Sequence, residues 1–257
     1  MTPVGKYLYA IIRSLGDPTF DDAAAVGDPQ TKVHTLSWGG LAAVVSDSPL
    51  TEYPSARSTM LAHERVQERI LRDFTLLPVR FGTVAKGTTP EKDIQKLLVK
   101  RKGEFEGLLT EMEGQVELGL KALWRDEKLL FNEILAANPR LQKLRDSLAA
   151  KPAQASRFDR MRLGELIKEA LELKKSGEAA SIVTPLRRLA RDCVENPVVL
   201  DRMIVNAAFL VDKTGEGEFD QAVAKLDEEQ GERIVFKYVG PIPPYNFVNI
   251  AVNWQDL

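Results

Sequence analysis

The stretch between residues 63 and 84 combines a helical and an extended pattern of apolar positions. In its first part, apolar residues recur at steps of three and four while charged residues occupy the other faces, which predicts an amphipathic helix. Pro78 lacks an amide hydrogen and crowds the residue before it, so the predicted helix ends by about Leu76. Residues 79–84 are rich in β-branched and aromatic side chains and predict a short strand. Arg80 would lie on the opposite face from its apolar neighbours, a position typical of a paired or ligand-binding arginine.

The N-terminal part of the chain predicts a mixed α+β domain spanning residues 1–114. Gly39 and Gly40 tolerate positive φ, so they predict a two-residue β-hairpin between the apolar segments on either side. The predicted elements are strands at 6–14, 33–38 and 41–46, the helix and strand of 63–84, and a helix at 90–112.

Residues 115–257 predict a second domain with a ferredoxin-like βαββαβ order, one strand missing and extra helices inserted. Strict alternation makes its first strand half-buried, with Glu117 on the solvent side. A long charged helix follows, with Met161 and Leu173 among its inward residues and breaks expected near Gly177 and Pro185. The predicted elements are a strand at 115–124, helices at 127–137, 139–149 and 159–195, a strand at 198–212, a helix at 215–230 and a strand at 233–239.

A proline-rich block at residues 239–248 ends the second domain. Its prolines favour an extended path that does not complete a sheet ladder. Two interpretations remain open: the aromatic residues pack back onto the protein as a C-terminal strap, or they contact a partner protein. Together with the strand at 79–84, this block supplies the tentative partner-binding residues, which are Arg80, Phe81, Pro243, Pro244, Tyr245 and Phe247.

Two of these blocks resemble the motifs of one protein family. The sequence LLPVRFGTV at 76–84 and the sequence GPIPPYNFV at 240–248 are similar to blocks of the gas vesicle protein F/L (GvpF/GvpL) family. The resemblance covers nearly the whole chain, about residues 5 to 250.

The resemblance implies an accessory protein needed to form gas vesicles, the gas-filled protein shells that give buoyancy. It implies that the chain binds the small, very apolar main shell protein and other accessory proteins, and assists shell nucleation as a minor vesicle component. It also implies no catalytic residue, no metal and no cofactor, and it does not separate F-type from L-type members.

Composition narrows the functional classes further. The chain has 35 basic and 37 acidic residues, and this balance argues against general nucleic-acid binding. The single cysteine, Cys193, excludes an internal disulfide, suits a reducing cytoplasm and is expected to be a small buried residue. The N-terminus lacks a signal-peptide pattern and no segment is apolar enough to cross a bilayer, which predicts a cytoplasmic protein that does not associate with a membrane. The family resemblance implies that this protein is associated with the gas vesicle.

Catalytic motifs are absent from the sequence. His63 to Gln67 is one residue short of a zinc-protease motif, because Gln67 replaces the second histidine and the chain has only two histidines. The alternative function is a small-molecule hydrolase or transferase that uses His63 and Arg80 in an interdomain cleft. A third possibility is a ligand-sensing regulator built on ferredoxin-like domains.

Overall fold

The computed structural model describes residues 5–49, 52–149, 152 and 156–256, which group into two compact units. The first unit contains the described residues up to Leu118, together with Leu210–Lys213 and those from Gly240 onward. The second contains Gly119–Phe209 and Thr214–Val239. The sequence places the proline-rich block with the C-terminal domain, whereas the structure groups it with the first unit. The domain boundary predicted at residue 114 stays a prediction.

The chain begins with an open antiparallel sheet flanked by helices. Its strands lie in the order β2-β3-β1-β4, and β5 also pairs with β1. The two-residue hairpin at Gly39 and Gly40 is confirmed, and both glycines have positive φ. The elements are β1 (Gly5–Arg13), β2 (Val33–Trp38), β3 (Leu41–Ser48), α1 (Arg57–Leu71), β4 (Leu76–Pro78), β5 (Val84–Lys86), α2 (Pro90–Lys100) and α3 (Lys102–Glu111).

The strand predicted at 79–84 is wrong. Both β4 and β5 pair with the same edge of β1, where Pro78 lies opposite Ala10 and Val84 lies opposite Tyr7. Between these two pairs, β1 has only residues 8 and 9, while the segment that joins β4 to β5 has residues 79–83. Because the longer segment cannot stay in register, it leaves the sheet edge as a loop, hereafter the edge loop, in the manner of an extended β-bulge.

Both faces of the first sheet are buried. On one face, side chains of β1 pack with Val66 and Ile70 of α1. On the other face, side chains of β1 pack with Ile94 of α2 and Phe105 of α3. A strand that is buried on both faces has a continuous apolar sequence, which is the pattern found at 7–12.

The second sheet has four strands in the order β7-β8-β6-β9. Short strand β7 supplies the member missing from the predicted βαββαβ order. The predicted α+β class is confirmed. The elements are β6 (Gln115–Trp124), α4 (Glu127–Ala137), α5 (Pro139–Ala149), α6 (Arg157–Arg187), β7 (Asp192–Glu195), β8 (Met203–Asp212), α7 (Glu216–Gln230) and β9 (Ile234–Ile242).

Three predictions about this region are wrong. Helix α6 is continuous and includes Pro185, because a proline this close to the helix end removes only one late hydrogen bond. The predicted last turns of the helix are instead β7, an edge strand too short and polar to leave a periodic pattern. Strand β8 begins at Met203, and the apolar residues before it, at 198–200, are exposed.

The predicted inward face of α6 is also wrong at its N-terminal half. Met161 is 56% exposed and Leu173 is 77% exposed, and the buried residues of the helix lie only near its C-terminal end. Within the described part of the chain, no helix has the length and apolarity required to cross a bilayer.

Candidate functional site

The edge loop is held by two buried polar side chains of α1. His63 Nε2 donates to the carbonyl oxygen of Val79 over 3.1 Å, and Gln67 Nε2 donates to the same oxygen over 3.1 Å. The second hydrogen of Gln67 Nε2 goes to the carbonyl oxygen of Tyr9 over 2.7 Å. The Val79 amide still donates to the Tyr9 carbonyl oxygen over 3.0 Å, whereas the Val79 carbonyl oxygen accepts from these side chains in place of a ladder amide.

The other end of the loop is held through Tyr7. The amide of Gly82 donates to the Tyr7 hydroxyl oxygen over 2.9 Å, and this hydroxyl lies 3.0 Å from His63 Nδ1. Since the Val79 carbonyl can only accept, His63 carries its proton on Nε2 and accepts at Nδ1 from Tyr7. A chain of hydrogen bonds therefore runs from one end of the loop to the other through His63.

His63 is buried and electrically neutral near pH 7. Its side chain is 4% exposed, and burial lowers the pKa of its imidazole to about 4, against a smaller opposing effect of the bond to Val79. Both ring nitrogens have partners, so neither is available to take a proton from a substrate. This arrangement gives His63 a structural role and does not favour the hydrolase or transferase alternative.

The proline-rich block is anchored by a buried carboxylate. Glu117 of β6 is 1% exposed, which corrects the prediction that it faces solvent. Its two oxygens accept from the Asn246 amide over 2.8 Å and from Asn246 Nδ2 over 2.6 Å. Burial raises the pKa of Glu117, and the bonds from Asn246 act in the opposite direction. The side chain that the alternating pattern assigned to solvent is thus the anchor of the C-terminal segment.

The same segment begins with a close backbone approach. Strand β9 continues through Pro241 to Ile242, so the expectation that the prolines stop the ladder is wrong for its first part. Gly240 has a φ of 146°, and a Cβ at this position would lie 2.6 Å from Leu118 Cδ2 and 3.1 Å from the Glu117 carbonyl oxygen. Only glycine fits here without displacement of the neighbouring strand.

The edge loop meets the C-terminal segment along one side of the first unit. Val79 forms a parallel bridge with Ile250, and the Arg80 amide donates to the Ile250 carbonyl oxygen over 3.3 Å. Arg80 Nε donates to Asn249 Oδ1 over 2.7 Å. Between them lies a half-open cavity of about 280 Å³, lined by His63, Glu64, Gln67, Pro78, Val79, Arg80, Phe81, Tyr245, Val248, Asn249 and Ile250.

Comparison with known proteins identifies the chain. The family described as "Gas vesicle synthesis protein GvpL/GvpF" matches residues 5–249, which includes the edge loop and most of the C-terminal segment. The chain belongs to the GvpL/GvpF family. The resemblance inferred from the sequence motifs is therefore confirmed.

Relatives named gas vesicle protein F match nearly the whole chain. It is 31% identical over 247 residues to gas vesicle protein F of a Streptomyces species, covering 95% of this chain and 100% of the relative. It is 29% identical over 249 residues to gas vesicle protein F of Microcystis aeruginosa, covering 96% and 99%. These relatives support a gas vesicle accessory role for this GvpL/GvpF protein.

Solved structures agree with the fold described above. The chain superposes on the crystal structure of gas vesicle protein GvpF from Anabaena with a TM-score of 0.83 and 27% identity, covering 97% of this chain and all of that one. The GvpF crystal structure from Microcystis aeruginosa gives a TM-score of 0.77 and 27% identity, covering 95% and 98%.

In this GvpL/GvpF protein, the predicted partner-binding residues divide into two groups. Arg80, half-buried Phe81 and Tyr245, which is 37% exposed, all line the cavity. The other three do not line it: Pro243 and Pro244 are buried, and half-buried Phe247 packs on the core of the first unit. The first group is therefore available to a partner, and the second supports the segment that carries Tyr245.

Three polar residues of the cavity lining were not predicted as site residues: Glu64, Gln67 and Asn249. Gln67 alone left a signal in the sequence, because it lies four residues after His63 on the same helical face. Asn249 reaches the site only through a contact between residues far apart in the chain.

Metal binding and thiol chemistry gain no support from the structure. Within the described ranges, no three or more His, Cys, Asp or Glu side chains are grouped to hold a metal ion. Cys193 is half-buried in β7, not fully buried as predicted, and burial raises the pKa of its thiol.

Proposed function

We propose that this GvpL/GvpF protein binds the main gas vesicle shell protein and assists nucleation of the shell as a minor vesicle component. It would act at the gas vesicle, together with other accessory proteins. The contact surface is the cavity formed by the edge loop and the C-terminal segment. The side chains that line this surface stand on backbone segments that accept hydrogen bonds from buried side chains or donate hydrogen bonds to them.

One observation carries the proposal. Phe81 and Tyr245, which come from distant parts of the sequence, lie together around one half-open cavity that Arg80 also lines. Aromatic residues are among the types that dominate the binding energy of protein interfaces. An apolar client that has not yet assembled exposes patches that such a pocket can cover.

The supporting backbone is organised before any partner binds. His63 and Gln67 hold the edge loop through buried hydrogen bonds, and Glu117 holds the C-terminal segment. A surface that is already ordered loses little conformational entropy on binding, so more of the contact energy appears as affinity.

The test is co-expression of this chain with the main shell protein, followed by co-purification. We expect the wild-type chain to retain the shell protein and Tyr245→Ala to bind it about thirty-fold more weakly, because a central aromatic contact contributes roughly 2 kcal/mol. Trp38→Ala is the matched control, since Trp38 is an exposed aromatic residue on the hairpin of the same unit.

Circular dichroism of both variants tests whether the fold is retained. Absence of a complex with the wild-type chain contradicts the proposed function. Equal retention by Tyr245→Ala and Trp38→Ala contradicts the proposed surface.

A further inference from the structure

Two polar groups at the cavity have no protein partner among the described residues. The Glu64 carboxylate and the Tyr245 hydroxyl both belong to the lining, and neither forms a hydrogen bond or ion pair with any residue that the structure describes. Gln67 Oε1 also lacks a hydrogen-bond partner within the described ranges, although Gln67 is fully buried. Flipping the Gln67 amide does not help, because its nitrogen already faces two carbonyl oxygens. All three groups can accept a hydrogen bond.

The side of the cavity at Tyr245 is negatively charged. Loss of water around the hydroxyl, together with the carboxylates of Glu64, Glu68 and Glu117, raises the pKa of Tyr245 well above its usual range. Arg80 also lines the cavity, and its Nε is bonded to Asn249. The cavity therefore has an acidic part with unused acceptors and a separate basic residue.

The remaining lining suits a long aliphatic chain that ends in a cation. Val79, Val248 and Ile250 are apolar and buried, and they can pack against methylene groups. The rings of Phe81 and Tyr245 add aromatic surface, which attracts a positive group placed over its face. A volume of about 280 Å³ accommodates one such side chain.

We infer that the cavity receives a lysine or arginine side chain of the partner protein. Its charged end lies at the Glu64 carboxylate and the Tyr245 hydroxyl, and its aliphatic stem lies along Val79, Val248 and Ile250. The inference rests on the proposed function for the identity of the partner, and on the cavity alone for the chemistry of the bound group.

The first experiment compares two charge-removing variants in a binding titration with the shell protein. Glu64→Gln should weaken binding about ten-fold, because it removes a charge-assisted hydrogen bond. Arg80→Gln should leave the affinity unchanged or increase it, because Arg80 repels a cation in the cavity. Glu228→Gln is the matched control, since Glu228 is an exposed glutamate on α7 of the second unit. Added salt should weaken binding by the wild-type chain more than binding by Glu64→Gln.

Every other pattern overturns the inference. Weaker binding by Arg80→Gln alone indicates an anionic group in the cavity. Weaker binding by both variants indicates a group that carries both charges, such as an exposed peptide backbone. Unchanged binding by both indicates that the cavity receives no charged group.

The second experiment does not need the shell protein, so it separates failure of this inference from failure of the proposed function. N-acetyl-lysine methylamide is titrated into the full chain at millimolar concentrations while amide resonances are followed by NMR. The amides of Glu64, residues 79–83 and Tyr245 should shift, and the Glu64→Gln chain should show smaller shifts. N-acetyl-norleucine methylamide is the uncharged control. No shift with the lysine probe, or equal shifts with both probes, overturns the inference.

Discussion

Helix α1 and the N-terminal half of α6 have similar patterns of apolar positions but opposite environments. In α1, five residues on one side of the helix are buried, and two of them are the polar residues His63 and Gln67. In α6, none of the residues from 157 to 181 is fully buried, although apolar side chains recur there at helical spacing. The pattern predicts that both segments are helices, and both are.

The difference lies in what each helix packs against. Helix α1 lies on the first sheet, whose own side chains close the cluster around Val66 and Ile70. Helix α6 borders a groove of about 960 Å³ on the side of α5, where Leu166 is only half-buried and Leu173 is exposed. Helical periodicity therefore predicts which face of a helix is apolar, but it does not determine whether anything covers that face.

The largest expected effect comes from truncating one apolar residue in each helix. Ile70→Ala should lower the free energy of unfolding by about 4 kcal/mol, because it opens a cavity in a closed cluster. Leu173→Ala should change it by less than about 0.5 kcal/mol, because the side chain is already in solvent. Urea denaturation of the two variants measures both values. Similar losses for the two variants would remove the contrast between the helices.

The second prediction concerns the buried histidine of α1. The folded pKa of His63 is about 4 and lies below the ordinary value of 6.5, so the unfolded chain binds the proton first as the pH falls. The wild-type chain should therefore lose up to roughly 3 kcal/mol of stability from this group between pH 6.5 and pH 4.

His63→Gln removes that loss while offering a donor and an acceptor of similar reach. The variant should be less stable than the wild type at pH 7, and the difference should shrink or reverse at pH 4. Urea denaturation at both pH values tests this expectation. A difference that stays the same at both pH values would show that His63 is not buried and neutral.

The smallest of the three effects compares a buried with an exposed glutamate. Glu117→Ala should cost about 2 kcal/mol, because it leaves the Asn246 amide without its acceptor. Glu169→Ala, on the exposed side of α6, should cost less than about 0.5 kcal/mol.

Hydrogen exchange of the Asn246 amide gives a local measurement beside the global one. It should become faster in Glu117→Ala and stay unchanged in Glu169→Ala. Unchanged exchange in Glu117→Ala would mean that the C-terminal segment has another anchor.

Most of the helices and strands follow from local pattern alone. The hairpin at Gly39 and Gly40, the helices at 127–137 and 139–149 and the strand at 115–124 have the predicted bounds. Failures occur where pairing with a distant strand decides the outcome. Strand β7 is an edge strand with no periodicity of its own. Residues 79–83 bulge from the sheet edge because only two residues of β1 lie opposite these five.

The candidate site was predicted only in part for the same reason. Arg80, Phe81 and Tyr245 could be selected from the sequence. Arg80 and Phe81 lie in an apolar segment predicted to be a strand, and Tyr245 lies in the proline-rich block. Glu117 could not, since alternation along its strand assigns it to solvent. Its environment depends on a hydrogen bond from Asn246, which is 129 residues further along the chain.

By itself, the sequence determined the family, the α+β class and the positions of most elements, because these depend on residue order and on spacings within one helix or strand. Only the tertiary structure decided which apolar faces are covered, where the edge loop leaves its sheet and which side chains surround the cavity. These features depend on contacts between residues far apart in the chain, and no local periodicity encodes such contacts.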